Sequence, residues 1–247
     1  MLNFFSALSF LTIIPASRQS PWSDKSKVLH FPLVGLLIGA LLYGLDHLLS
    51  SFAYREVRAA LDVIFLAIIT GGLHLDGLAD SAYGLFSHKD KHKALEIMKD
   101  PRIGSMGAIT AVLCLLLKFS GLAGIDGNQC WIWLLTAPAL ARSTQVIGLV
   151  FMDDARGGGG MGAPFFQKLN YGALIYCAIP LTLPFLLSLK TGLLILGLFA
   201  FSTFIVLFYF QSKLGGMTGD TLGAATEIVE TALLVAGGLA CMSSATH

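Results

Sequence analysis

Apolar residues run along the chain in blocks of about 20, the length a helix needs to cross the hydrocarbon core of a bilayer. Blocks at 30–52, 58–75, 105–125, 130–152, 171–189, 192–211 and 222–242 predict seven spans. The apolar stretch at 4–15, FFSALSFLTIIP, is too short to span and predicts an interfacial or re-entrant helix. The longest polar interruption, 76–104, separates the second span from the third, and shorter ones fall at 153–170 and 212–221. No internal repeat is visible. The expected fold is an all-α, polytopic membrane helical bundle of about seven spans, with residues 1–247 as a single membrane-embedded domain.

Composition narrows the class. Of 247 residues, 55% are hydrophobic and 13% charged, against about 25% charged in a soluble domain. That argues against a water-soluble enzyme and against a disordered chain. Lys and Arg number 16 against 15 Asp and Glu, a formal charge of +1 that gives no reason to expect a nucleic-acid partner. The four cysteines, Cys114, Cys130, Cys177 and Cys241, form no short-spaced pair, so neither a zinc site nor a disulfide framework is expected. The N-terminal Met1-Leu2-Asn3 lacks the basic region of a secretory signal, and no cleaved leader is expected.

The basic residues are unevenly divided between the two sets of alternate loops. Eleven fall on one side: Arg18, Lys25, Lys27, Lys89, Lys91, Lys93, Lys99, Arg102, Arg156, Lys168 and Lys213. Three fall on the other: Arg55, Arg58 and Lys190. The positive-inside rule then puts loops 76–104, 153–170 and 212–221 in the cytoplasm. Those loops carry nearly all the candidate chemistry.

The first constellation is GLHLDGLAD at 72–80, where Asp76 and Asp80 stand i,i+4 and share a helix face. Two unpaired carboxylates on one face repel unless a cation lies between them, and hard oxygens at this spacing suit Mg²⁺, which also takes phosphate oxygens. A solvated helix end with two capping acids is the structural alternative. Gly77 and Ala79 leave room for a bulky diphosphate, and His74 is a candidate general base or a buried helix-end histidine.

The second is GGMTGDTLGAATE at 215–227, with Asp220 and Glu227 i,i+7 on nearly one face and glycines that free backbone N–H groups for an anion. A glycine hinge with a snorkelling glutamate is its bland reading. Glu96, Asp100 and Arg102 form a third, weaker group in LEIMKDPRIG, where Arg102 could clamp a phosphate. Arg156 opens a glycine run, 157–160, that by itself reads more readily as a linker than as a phosphate-facing loop. His88 and His92 have metal-ligand spacing but sit among three lysines that repel a cation. Arg142 and Glu230 lie inside apolar segments, where an ionised group has a functional or paired role. Gly35 and Gly39 make a GxxxG helix-packing face.

HLDGLAD at 74–80, LEIMKDPRIGSMG at 95–107 and GGMTGDTLGAATE at 215–227 together resemble the cobalamin (5′-phosphate) synthases, the adenosylcobinamide-GDP ribazoletransferases. FFSALSFLTIIP and HFPLVGLLIG match in position as well, so the resemblance covers the whole chain. It implies a Mg²⁺-dependent enzyme of the cell inner membrane, its active face cytoplasmic. Such an enzyme joins adenosylcobinamide-GDP to α-ribazole or its 5′-phosphate and releases GMP. Its partners would be those two substrates and the lipid bilayer, and a homo-oligomer is compatible with it.

By the same resemblance, Asp76, Asp80, Asp220 and Glu227 are the expected metal ligands. Asp76, Asp80 and His74 are the expected catalytic residues, with Glu96, Asp100, Arg102, Arg156 and Thr218 on the substrate. One departure stands out: the family segment reads HLDGLADxxDG, whereas Tyr83 precedes Gly84 here. Two rival readings fit the residues less well. A CDP-alcohol phosphotransferase calls for Asp-Gly-x-x-Ala-Arg, and no arginine follows Ala79. A cation-coupled transporter would use Asp220, Glu227 and Arg142 as a midplane relay, whereas the acids cluster at helix ends.

Overall fold

The computed structural model describes residues 2–16, 25–126, 130–158, 162–166 and 169–245. Arg18 and Lys168, two of the basic residues used for orientation, and Gly159 and Gly160 of the glycine run lie outside them. The helices are α1 (Leu2–Leu11), α2 (Phe31–Leu49), α3 (Arg55–Ile69), α4 (Leu73–Leu85), α5 (Lys91–Ile97) and α6 (Ser105–Gly124). They continue with α7 (Trp131–Phe151), α8 (Ile175–Thr182), α9 (Leu189–Leu214) and α10 (Gly219–Ala245). No strand occurs among the described residues.

Five of these are long and apolar enough to cross a membrane: α2, α6, α7, α9 and α10. They occupy the blocks expected at 30–52, 105–125, 130–152, 192–211 and 222–242. The other two expected spans differ in form. Residues 171–189 make a shorter apolar unit, Tyr171–Leu186, in which 3-10 turns flank α8 and Pro180 lies inside it. The block at 58–75 is broken: α3 stops at Ile69, and α4 leaves at 87° to it. Gly71 and Gly72 make that bend with φ of 58° and 71°, a left-handed region that glycine enters without a Cβ clash. HLDGLAD therefore rides on a helix of its own, turned across the end of α3.

Packing follows the small residues. A Cβ on Gly35 would come within 2.6 Å of the Pro138 carbonyl oxygen, and Gly39 lies as tightly on Leu135, so the expected GxxxG face seats α2 on α7. Without a hydrophobic drive between helices in lipid, such close backbone approach is what holds them. Gly39→Ala is expected to lower membrane abundance and the unfolding midpoint in detergent. Gly197→Ala, at a glycine with nothing within 4 Å of its missing Cβ, is expected to leave both unchanged. Thermal unfolding of the two purified variants checks this.

Across the bundle, α10 is the shared element. Gly121 and Gly124 of α6 lie against Leu234 and Gly238 of α10. Gly77 of α4 lies against the Asp220 backbone, where a Cβ would meet its carbonyl oxygen at 2.7 Å. The missing side chain of Gly77 thus lets α10 approach, and Gly77 also lines the cavity beside Asp76.

The start of α2, the end of α7 and the start of α10 meet at one end of the bundle, around Phe31, Leu149 and Asp220. At the opposite end Cys130 and Cys241 form a disulfide, with Cα atoms 6.0 Å apart, joining the start of α7 to the end of α10. This corrects the expectation of no disulfide, since residues 111 apart in sequence are brought together only by the antiparallel helices. Arg58 pairs with Asp46 at 3.0 Å, tying α3 to α2.

Candidate active site

A cavity of about 170 Å³ opens where the ends of α4, α7 and α10 converge. Its polar wall is His74, Asp76, Gln145, Arg156 and Asp220. Its apolar wall includes Phe10 of α1, Phe31 of α2 and Phe165 from the loop after α7. Phe10 stacks on Phe31 with ring centroids 5.8 Å apart and meets Phe165 at 5.2 Å. The short N-terminal helix thus contributes to the site as well as to the membrane surface. Lys27 lies buried 5.1 Å from the Phe10 and Phe165 ring centroids, its stem and charge enclosed by aromatic faces.

Asp76 and Asp80 lie one turn apart on α4, and Asp220 opens α10. Asp80 is within electrostatic reach of both other acids and of Arg156. Arg156 Nη2 donates to Asp220 Oδ2 at 2.6 Å. Three carboxylates and one guanidinium therefore share one end of the bundle with an excess of negative charge. The N-termini of α4 and α10 also lie at this end of the bundle, where their helix dipoles favour negative charge.

The loop that delivers Arg156 is built by local hydrogen bonds. Asp154 accepts from the Arg156 N–H at 3.0 Å and from the Gly158 N–H at 2.7 Å. Ala155 N–H donates to Met217 carbonyl at 2.8 Å, and Met217 N–H to Asp153 carbonyl at 2.9 Å. This short bridge fastens the 153–158 segment to the GGMTGD turn. Thr218 is buried and caps the start of α10 through paired contacts with Thr221 at 2.7 and 3.2 Å. It braces the turn, where the sequence suggested a substrate contact.

Two buried nitrogens near the cavity lack a partner, His74 Nδ1 and Arg156 Nε. A buried unpaired polar group costs roughly 1–3 kcal/mol, and an anionic ligand would relieve the Arg156 N–H. His74 Nε2 lies 2.9 Å from Gln145 Nε2, which also reaches Thr226 Oγ1 at 2.7 Å. Gln145 gave no signal in the sequence, since it is a lone amide inside an apolar span.

The remaining expected residues lie in other company. Glu227 is buried on α10 and pairs with Lys118 of α6 at 2.6 Å. Lys118 also holds Glu230 at 2.6 Å, and Arg142 of α7 completes the group against Glu230. Asp220 and Glu227 are thus brought to different partners, one at the mouth of the site and one inside the bundle. Arg102 clamps Asp100 bidentately, at 2.9 and 2.6 Å, and holds its carboxyl down at about 2. Glu96 pairs with Lys93 at 2.7 Å, which lowers its carboxyl below the usual range. Both acids are satisfied within their own exposed segment. Tyr83, in place of the family's aspartate, lays its ring against the Gly104 backbone and so fastens this segment to α4.

Among the described residues no three His, Cys, Asp or Glu side chains are grouped closely enough to hold a metal ion by themselves. Mg²⁺ does not require that, because it binds through one or two carboxylates and completes its shell with water and phosphate oxygens. Asp76, Asp80 and Asp220 are hard oxygen donors of the right kind. A larger cavity of about 560 Å³ between α4, α6, α9 and α10 is lined mainly by apolar side chains, such as Leu113, Leu117 and Phe210. It holds none of the expected site residues.

The cobalamin-5-phosphate synthase family model matches residues 3–238. The chain belongs to that family. Among curated relatives, the adenosylcobinamide-GDP ribazoletransferase of Thermoanaerobacter pseudethanolicus is 39% identical over 208 residues, covering 83% of each chain. That of Pseudomonas syringae pv. syringae is 37% identical over 243 residues, covering 95% of this chain and 98% of the relative. No solved structure matches. The match to the synthase family covers α1 to α10, so the cavity, its acids and Arg156 all lie inside it.

Proposed function

We propose that this membrane protein joins adenosylcobinamide-GDP to α-ribazole or its 5′-phosphate, giving adenosylcobalamin or its 5′-phosphate plus GMP. The observation that carries the reading is the cavity lined by Asp76, Asp220 and Arg156, with Asp80 in electrostatic reach of all three and the unpartnered nitrogens of His74 and Arg156 beside them, within the span matched by the family. A ribose hydroxyl attacks the phosphorus on the cobinamide side of the diphosphate, a new P–O bond forms, and the P–O bond to GMP breaks. Negative charge gathers on the phosphoryl oxygens, so positioning and electrostatics supply most of the catalysis. Arg156 and the N-termini of α4 and α10 would steady that charge. One or two of Asp76, Asp80 and Asp220 would hold Mg²⁺, with water and diphosphate oxygens completing its shell, and the ion would supply charge neutralisation at the diphosphate. The phenyl rings of Phe10, Phe31 and Phe165 offer an apolar wall for a flat ring system.

The test is direct. Protein in proteoliposomes, given adenosylcobinamide-GDP, α-ribazole 5′-phosphate and Mg²⁺, is expected to release GMP only when both substrates are present. Release without α-ribazole phosphate, or none at all, overturns the reading.

We further propose that the site faces the cytoplasm of a cell inner membrane. The basic loops support it, and so does the Cys130–Cys241 disulfide at the opposite end, because disulfides persist on the oxidising side. With a membrane-impermeant maleimide on spheroplasts, Ser51→Cys is expected to label at once and Asp90→Cys only after permeabilisation. The reverse pattern would sink this orientation.

A further inference from the structure

We infer that His74 serves the site as a hydrogen-bond donor through Nδ1, held in that tautomer by Gln145, rather than as a general base. The inference rests on the ribazoletransferase reading for the identity of the acceptor, a phosphoryl oxygen of the diphosphate.

The argument starts on α10. The Thr226 hydroxyl has one hydrogen, and it donates to the Leu222 carbonyl at 2.9 Å. Thr226 Oγ1 is then an acceptor for Gln145 Nε2 at 2.7 Å. The second hydrogen of that amide meets His74 Nε2 at 2.9 Å. An amide nitrogen accepts nothing, so His74 Nε2 must be the acceptor, and the neutral ring carries its hydrogen on Nδ1. Nδ1 is buried and without a partner, on a residue that lines the cavity beside Asp76 and Arg156.

The flipped amide gives a second self-consistent network. Gln145 Oε1 would then accept from His74 Nε2, and from Thr226 only once its hydroxyl gave up the Leu222 carbonyl, leaving a bare lone pair at Nδ1. On a residue that lines the cavity, that arrangement offers a lone pair at Nδ1, while the first offers an N–H. The cavity's other unpartnered group, Arg156 Nε, is also a donor, so the first network gives the site one consistent sign. Donors placed where charge develops are among the larger contributions to catalysis.

Gln145 is accordingly a positioning residue: it sits on α7 and sets the ring of a histidine on α4 through a threonine on α10. The same three residues fix the mutual seating of the three helices that carry the site.

Two readouts test the assignment, one of which needs no turnover. Nitrogen NMR of histidine-labelled protein, with His74 identified by difference against a His74→Asn sample, is expected to show Nδ1 protonated and Nε2 bare. Gln145→Glu, which can only accept, is expected to move the hydrogen to Nε2. In the GMP-release assay His74→Asn, whose amide nitrogen falls near the Nδ1 position, is expected to stay within about tenfold of wild type. His74→Gln, which reaches the Nε2 position instead, is expected to fall by roughly 100-fold or more.

A resting His74 protonated at Nε2 overturns the inference, whatever the protein's reaction. So does equal loss in the Asn and Gln variants, which is what a general base would give. Failure of wild type to release GMP while the Nδ1 hydrogen is observed would count against the reaction and not against the tautomer.

Discussion

Asp220→Asn is expected to lower GMP release by roughly 10²–10³-fold, the usual cost of removing one charged group from a transition-state cradle, while leaving protein abundance in the membrane unchanged. Asp220 is part exposed at the first turn of α10, so neutralising it creates no cavity. It has two roles that the variant separates from packing. It holds Arg156 at 2.6 Å, and it adds a third negative charge to Asp76 and Asp80. If the acids bind Mg²⁺, Asp76→Asn and Asp80→Asn should each raise the Mg²⁺ concentration for half-maximal turnover. Arg156→Gln should instead raise the KM for adenosylcobinamide-GDP and leave the Mg²⁺ requirement alone. Near-wild-type turnover in Asp220→Asn would remove it from the site. A common loss in all four variants with no change in Mg²⁺ requirement would reduce the acids to a structural cluster.

Tyr83 has a structural contact of its own. Its ring lies on Gly104 and fastens the 91–104 segment to α4. A Tyr83→Asp change removes that contact, so its first effect should be on the segment.

The five long spans were legible because length and apolarity are one-dimensional properties, visible in each block by itself. The break in α3–α4 was not, because Gly71-Gly72 reads as apolar in a hydropathy pattern and only its left-handed φ values make it a corner. The acids of HLDGLAD and GGMTGD could be read from spacing along one helix. That they meet depends on the close approach of α4 to α10 at Gly77, which is a contact between elements about 140 residues apart and leaves no local trace. The same applies to Gln145, whose meaning comes wholly from two neighbours on other helices. The ion pair of Glu227 was hidden for the same reason: its spacing from Asp220 suggested a shared ligand set, and its partner Lys118 lies 109 positions earlier.

Lys118→Met is expected to destabilise the bundle by about 3–5 kcal/mol, the cost of leaving a buried charge without its partner. Lys118, Arg142, Glu227 and Glu230 are all at most 7% exposed at the side chain, and they balance two positive charges against two negative. Removing the lysine leaves Glu227 bare and Glu230 with Arg142 alone. In lipid that excess charge has no water to turn to. Restoring the balance should restore much of the stability: Lys118→Met with Glu227→Gln leaves the Arg142–Glu230 pair intact and no unpaired ion. The double variant is therefore expected to be more stable than Lys118→Met alone, a coupling that independent sites would not show. Thermal or denaturant unfolding in detergent measures it. Because the four residues join α6, α7 and α10, the single variant should also lose GMP release. The double variant should recover it, since neither changed residue lines the cavity where Asp76, Asp220 and Arg156 meet. If the balanced double variant is stable but inactive, Glu227 belongs to the chemistry after all, and the interior group is more than a support for the site.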